Sequence, residues 1–224
     1  MIKLEKLNYK EALRYMGYHS YNDDEKTIAL LKECEELVIS HSVPRYSYKI
    51  FDIAMCDSGI NVLGTKLILT GEDIKLHLKD CYGIVLMCAT LSYKIDELIR
   101  RTQIEDMAKA VVINSLSSVA IEQICDNIEK EIHAKTYNQY KTWRYSPGYG
   151  DLPIELQKDI LTTLDAQRKI GLCTTTSMTL TPIKSVTAII GLSNTPVTPK
   201  KRGCMGCNLK EICQYRKAGN HCVQ

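Results

Sequence analysis

No apolar run in this sequence is long enough to cross a bilayer. The longest, such as Tyr82–Leu91, fall well short of the roughly 20 residues a spanning helix needs. The stretch MIKLEKLNYKEAL is charged and amphipathic and lacks the apolar core of a signal peptide. A cytoplasmic protein is therefore expected. An excess of one charge is missing too. Lys and Arg number 29 against 26 Asp and Glu, and the formal +3 argues neither for nor against nucleic acid. Only Lys200-Lys201-Arg202 is locally basic. There is no low-complexity tract, and the 45% apolar share is ordinary for a chain with a packed core. No Ser/His/Asp triad, phosphate-cradling P-loop or Gly-x-Gly-x-x-Gly can be read, and His19, His41, His77 and His133 form no recognisable spacing. Regular alternation of strands and helices is also missing. That excludes a doubly wound parallel sheet and points to an α+β fold with a mainly antiparallel sheet flanked by helices.

Cysteine is what the chain has in plenty, with 10 in 224 residues. Cys34, Cys56, Cys81, Cys88, Cys125 and Cys173 are scattered and read as buried free thiols in a reducing compartment. The other four form Cys-x2-Cys-x5-Cys and a later Cys: Cys204, Cys207, Cys213 and Cys222, with His221 as a reserve ligand. Thiolate-only ligation suits a 4Fe–4S cluster or structural zinc. The bland alternative is a set of unrelated thiols. Residues 199–224 are too few to bury a core, so metal would have to supply their folding free energy. Thr195–Pro199 holds two prolines, which predicts a short stiff connection to a small metal module docked on the main domain of residues 1–198.

Periodicity predicts the elements of that main domain. Tyr9–Met16 and Asp23–Ser40 read as helices, and Arg45–Cys56 as a strand followed by a turn at Asp57-Ser58-Gly59. A short strand at Leu67–Leu69 precedes Thr70-Gly71-Glu72-Asp73, which looks like the capped start of a helix ending at Leu78. Tyr82–Thr90 is continuously apolar and predicts a buried strand. Ser92 to about Lys135 is helical, without Pro or Gly, and long enough to expect a break near Thr102–Asp106. Its second half carries Ala110, Ile113, Leu116, Ala120, Ile124 and Ile128 on one face. A strand at Thr142–Tyr145 is expected to enter a loop. Asp151 or Leu152 would then cap a helix with Pro153 in its first turn, which Gly171 stops. Met178–Leu180 and Ser185–Leu192 read as strands either side of Pro182.

The loop is Arg144-Tyr145-Ser146-Pro147-Gly148-Tyr149-Gly150. It joins a fixed cation, two aromatic hydroxyls, a proline and two glycines. Glycine permits φ > 0 and close approach of a ligand to bare backbone, while Arg144 can fork onto a carboxylate or phosphate. An ordinary strand-to-helix turn would also be rich in Gly and Pro.

Arg-x-x-x-Gly-Tyr followed by a helix resembles the S-adenosylmethionine-binding signature of the activation (reactivation) domain of cobalamin-dependent methionine synthase. "SSVAIEQICDNIEKEI" and "GDLPIELQKDILTTLDAQRKIGL" look like that family's flanking helices, and "TSMTLTPIKSVTAIIGLS" like its closing strand. The likeness covers most of residues 1–198, most specifically 104–193. It is to the compact, free-standing form, without methyltransferase or cobalamin-binding modules.

The resemblance implies an α+β fold and S-adenosylmethionine as a ligand. Arg144 would pair with the ligand carboxylate, backbone groups at Ser146 and Gly148 would hold its amino-acid or adenosine portion, and Tyr149 would sit near the sulfonium. Glu122 matches the family's ligand-contacting glutamate and would take the α-amino group or ribose hydroxyls; without the resemblance it reads as a solvated helix glutamate. Ile190 stands where the family has a tyrosine, and the family's N-terminal aspartate has no clear counterpart. The implied partner is a cobalamin-bound methionine synthase or related corrinoid protein, which supplies the cobalamin. A flavodoxin or ferredoxin would serve as electron donor, with no membrane and no nucleic acid among the partners. Because reactivation needs an electron, a 4Fe–4S cluster is favoured over zinc at the cysteines. The implied function is reactivation, in which S-adenosylmethionine is presented for reductive methylation of cob(II)alamin. One rival is a small zinc-binding interaction protein with no S-adenosylmethionine chemistry. Another is an ordinary S-adenosylmethionine-dependent methyltransferase, against which the missing glycine-rich loop counts.

Overall fold

Aspartates and an asparagine start three of the helices. Asn8 caps α1 (Tyr9–Tyr15), Asp24 caps α2 (Glu25–His41) and Asp106 caps α5 (Met107–Lys135), each side chain accepting a first-turn backbone N–H. Such caps satisfy donors that the helix itself leaves orphaned. The computed structural model describes residues 2–18, 24–197, 211–212 and 214–217. Its chain divides into two units. The first comprises Met1–Ser47, Cys88–Tyr137 and Leu164–Val186, and the second Tyr48–Met87, Asn138–Thr163 and Thr187–Gln224.

The first unit is helical. α4 (Tyr93–Glu105) ends where Asp106 turns extended at φ −154°, so the expected break in the long helical stretch falls at its C-terminal limit. The same residue then caps α5, with Lys109 N–H bonded to its carboxylate at 3.0 Å. All six residues of the predicted apolar stripe on α5 are buried, against α1, α2 and α4. Asp165 at φ 56° separates the short α7 (Ala166–Ile170) from the helix before it, and Gly171 at φ 71° closes α7 as expected. A hairpin follows, β6 (Cys173–Thr174) against β7 (Leu180–Thr181). The strand expected at Met178–Leu180 is thus shifted. Met178 lies at φ 61°, a turn conformation, and cannot continue a ladder.

Most of a six-stranded sheet, in the order β3-β2-β1-β4-β8-β5, belongs to the second unit. Its strands are β1 (Arg45–Cys56), β2 (Gly59–Val62), β3 (Ile68–Leu69), β4 (Gly83–Thr90), β5 (Tyr140–Lys141) and β8 (Ser185–Ser193). β1 pairs antiparallel with β2, β2 with β3, and β5 with β8. β1 begins and ends as expected, and every residue of β4 is buried, as a continuous apolar run requires. Helices α3 (Glu72–Leu78), α6 (Leu156–Leu164) and the short α8 (Gln214–Lys217) complete the described part of this unit. The α+β class with a mainly antiparallel sheet and accompanying helices is therefore as expected.

Three local expectations are corrected. The strand expected at Thr142–Tyr145 is reduced to β5 and an isolated bridge between Tyr145 and Ile189. Thr142 explains the interruption: its hydroxyl, not only its backbone, bonds the strand, taking the N–H of Gly191 at 2.8 Å. The helix expected from Asp151 starts only at Leu156, after a turn through Pro153. And α3 is not capped by Thr70, because Gly71 occupies its N-cap with no side-chain bond of its own. The tail cysteines Cys204, Cys207, Cys213 and Cys222, with His221 and the domain boundary at 198/199, lie outside the described residues.

Candidate functional site

The loop after β5 is built around Tyr145. Its backbone bonds Ile189 in both directions, N–H to O at 2.9 Å and O from N–H at 2.8 Å. The side chain is 5% exposed, and its hydroxyl donates to the carbonyl of Tyr149 at 3.2 Å. Burial pushes the phenol up to about 12, with Asp73 and Asp151 adding negative charge nearby. The hydroxyl thus keeps its proton and stays a donor.

From this anchor the chain makes a tight turn. Tyr149 N–H bonds Ser146 O at 3.0 Å, Gly148 N–H bonds Leu152 O at 2.9 Å, and Leu152 N–H bonds Tyr149 O at 3.0 Å. Gly148 sits at φ +89°, the left-handed region that an L side chain enters only with strain. The expectation of a special backbone at this glycine therefore holds. The expectation of generally bare backbone does not: the N–H of Gly148 and the C=O of Ser146 are used inside the turn. Among the described residues the N–H of Ser146 donates to no backbone carbonyl, and the C=O of Gly148 accepts from no backbone N–H. Gly148 and Tyr149 are exposed, Tyr149 by 53%, and Arg144 and Ser146 are half-buried.

Four rings pack beneath the turn. Trp143 and Tyr145 lie 5.1 Å apart by centroid, Tyr145 and Tyr149 5.9 Å, and His77 of α3 lies 4.8 Å from Trp143 and 4.9 Å from Tyr145. Tyr149 stands at the rim of this cluster, 6.5 Å from Trp143, with much of its ring toward solvent. Such an edge offers a π-face and a hydroxyl to a bound cation.

Arg144, Ser146, Gly148 and Tyr149 are thus brought together on one turn of the second unit. Glu122 belongs to the first unit, half-buried on α5. Its charge acts on Tyr15 of α1, whose phenol is pushed up to about 12 by burial first, then by Glu11 and Glu122. It is therefore not the freely solvated glutamate of the bland reading. Ile190 is 1% exposed in β8, so the position where a tyrosine was looked for is a core position. Among the described residues no group of three or more His, Cys, Asp and Glu side chains could hold a metal ion. None of the six scattered cysteines is in a disulfide; Cys34, Cys88 and Cys125 are buried and Cys56 exposed, which corrects the expectation that all six are buried. Nor, among the described residues, is any helix long and apolar enough to cross a membrane.

Two residues of this site were missed by sequence reading. Asp151, taken as a cap for its own following helix, instead bonds α3. His77, which carries no spacing signal, meets the carbonyl of Trp143 through Nε2 at 3.0 Å.

Residues 83–196 match the family model described as "Vitamin B12 dependent methionine synthase, activation domain". That span contains the turn and the helix of Glu122. No curated protein matches the chain. Among solved structures it is similar to the crystal structure of the MetH reactivation domain bound to AdoHcy. The TM-score is 0.67 at 11% identity, over 96% of this chain and 82% of that one. At such identity the likeness is one of fold.

Proposed function

Because this chain belongs to the family of vitamin B12 dependent methionine synthase activation domains, we propose that it reactivates a cobalamin-dependent methionine synthase or a related corrinoid methyltransferase by presenting S-adenosylmethionine. The observation that carries the reading is the Arg144–Tyr149 turn, inside the matched span, with Gly148 held at φ +89°. Its support from outside the chain is that the structurally similar MetH reactivation domain is bound to AdoHcy, the product left when S-adenosylmethionine gives up its methyl group.

In this reading Arg144 pairs with the ligand carboxylate through charge-assisted hydrogen bonds. The N–H of Ser146 and the C=O of Gly148 bond the amino-acid or adenosine portion. Tyr149 turns its exposed ring or hydroxyl to the sulfonium. Glu122 takes the α-amino group or ribose hydroxyls. A corrinoid held by the partner would supply the nucleophile for the methyl group, with a flavodoxin or ferredoxin as the source of the one electron it would need. The sulfonium C–S bond would break in that transfer, and S-adenosylhomocysteine would be the leaving product. The protein's contribution is placement and charge complementarity, and no general base is called for.

Residues 1–198 are the ligand-binding domain in this proposal, and residues 199–224 a metal module held by Cys204, Cys207, Cys213 and Cys222. Four thiolates suit a 4Fe–4S cluster, which would supply one-electron chemistry, or zinc, which would be structural.

Calorimetry with S-adenosylmethionine tests the central claim. The wild type should bind, and Arg144→Ala should bind more weakly by about 1.5–3 kcal/mol, the range for a hydrogen bond to a charged group. Equal affinity of the two proteins would remove Arg144 from the ligand, and no binding by the wild type would remove the function.

A further inference from the structure

The ligand turn leaves the sheet at Trp143 and is followed by Asp151, and both ends are fastened to the same short helix. At its start, α3 has orphaned N–H groups and no cap of its own. The carboxylate of Asp151 fills that place from 78 and 79 residues away, accepting from Glu72 N–H at 2.6 Å and Asp73 N–H at 3.0 Å. The approach is close enough to need glycine. At Gly71, φ +122°, an added Cβ would stand 2.6 Å from the Asp151 carboxylate. Near the other end of α3, His77 is 8% exposed, and its Nε2 meets the Trp143 carbonyl at 3.0 Å. Its ring also lies against both Trp143 and Tyr145, the two neighbours of Arg144. Residues 72 and 77 are separated by about 7–8 Å along a helix axis, at about 1.5 Å per residue. A rigid rod of that length therefore sets the spacing between entry and exit of the turn.

We propose that His77 and Asp151 are positioning residues for the ligand turn, holding Arg144–Tyr149 in its binding form through α3 without touching the ligand themselves. The proposal rests on the S-adenosylmethionine reading above and adds to it the device that shapes the site. A turn with both ends held on a helix keeps its conformation when the ligand is absent, so less ordering has to be done on binding. Release of one end leaves the turn held by the other end and by the Tyr145 bridge, so the backbone that carries Arg144 and Gly148 can sample other conformations.

The test is calorimetric titration of the full chain with S-adenosylmethionine, at a temperature well below each variant's unfolding midpoint. His77→Ala and Asp151→Ala, still folded, should each lose on the order of tenfold in affinity. His77→Gln keeps an amide N–H that can reach the Trp143 carbonyl and should recover most of the loss. Asp151→Asn keeps one acceptor oxygen of two and should fall between wild type and Asp151→Ala. A role in packing alone predicts lower unfolding midpoints with unchanged affinity in the folded protein, and that result overturns the proposal. If the alanine variants do not fold, Asp151→Asn decides it: full wild-type affinity there overturns the strut, and a partial loss supports it. Failure of the wild type itself to bind overturns the ligand reading, and the strut falls with it.

Discussion

Gly148 and Gly17 offer a matched pair. Both are exposed, and their backbones lie at nearly the same angle, φ +89° and φ +86°. An alanine at either must adopt the left-handed region, which costs roughly 1–2 kcal/mol for an L residue. Little is added by contact. A Cβ at Gly17 meets nothing within 4 Å, and one at Gly148 meets only Ile154 Cδ1, at 3.2 Å. Ile154 is 39% exposed and its terminal methyl can swing aside. The two variants should therefore lose similar stability, lowering the unfolding midpoint by roughly 2–8 °C at about 2–4 °C per kcal/mol for a chain of this size. Binding should separate them. Gly17 lies at the end of α1, whereas Gly148 forms the turn whose backbone is proposed to hold S-adenosylmethionine. If alanine relaxes the angle at 148, the C=O of that residue and the whole turn rotate away from their binding positions. Gly148→Ala should lose at least about tenfold in affinity, and Gly17→Ala should bind as the wild type does. Thermal unfolding and calorimetry on the same preparations give both numbers. Wild-type affinity in folded Gly148→Ala, or an equal loss in Gly17→Ala, would refute the reasoning.

Alkaline titration tests the anchor. The Tyr145 phenol is raised by burial from 10.0 to about 12, so its stabilising contribution is fully present below pH 10 and is lost as pH rises through 12. Urea unfolding of Tyr145→Phe should accordingly show a shallower loss of stability across that window; identical slopes would mean the phenol ionises in the folded state as it does free in solution. Lys184 runs the other way. It is 9% exposed with Nζ donating to Ser118 Oγ at 2.9 Å, and desolvation lowers its pKa below 10.5 against the pull of Asp96. The cost of its charge is present below the lowered value and disappears as pH climbs toward 10.5, so the wild type should gain on Lys184→Met over that rise. A stability gap that does not change with pH contradicts the assignment. At the tail, anaerobically prepared protein should contain stoichiometric iron and sulfide, or zinc, and Cys207→Ser should lower it; metal-free wild type whose variant folds unchanged excludes the module.

Legibility in the sequence followed how local each cause is. β1 and β4 could be read because their whole length is Tyr- and Ile-rich or continuously apolar, and Asp106 could be anticipated because a break was needed somewhere near it. Gly148 was legible because only a particular backbone calls for glycine beside Pro147 and Tyr149. Strands β2 and β6, of four and two residues, carry too little pattern of their own and exist because β1 and β7 pair with them. Asp151 misled for a related reason. An acid just before an apolar helical run satisfies every local rule for an N-cap, yet the amides it serves belong to Glu72 and Asp73. Nothing local distinguishes a near amide from one that folding brings close. His77 was hidden likewise, since its partner is a backbone carbonyl and leaves no mark in composition.

The bridge between Tyr145 and Ile189 also sets how the turn can change over time. On an extended segment neighbouring side chains face opposite ways, and here Tyr145 and Pro147 are buried while Arg144 and Ser146 are half-buried and Gly148 exposed. Tyr145 and Pro147 hold the turn, and Arg144, Ser146 and Gly148 between and beside them are the positions proposed for the ligand. A substitution harms one set or the other. Adding or removing one residue between Trp143 and Gly148 would exchange them, sending a guanidinium inward and an aromatic ring out. The number of residues in this turn is therefore less negotiable than the identity of any one of them, Arg144 included.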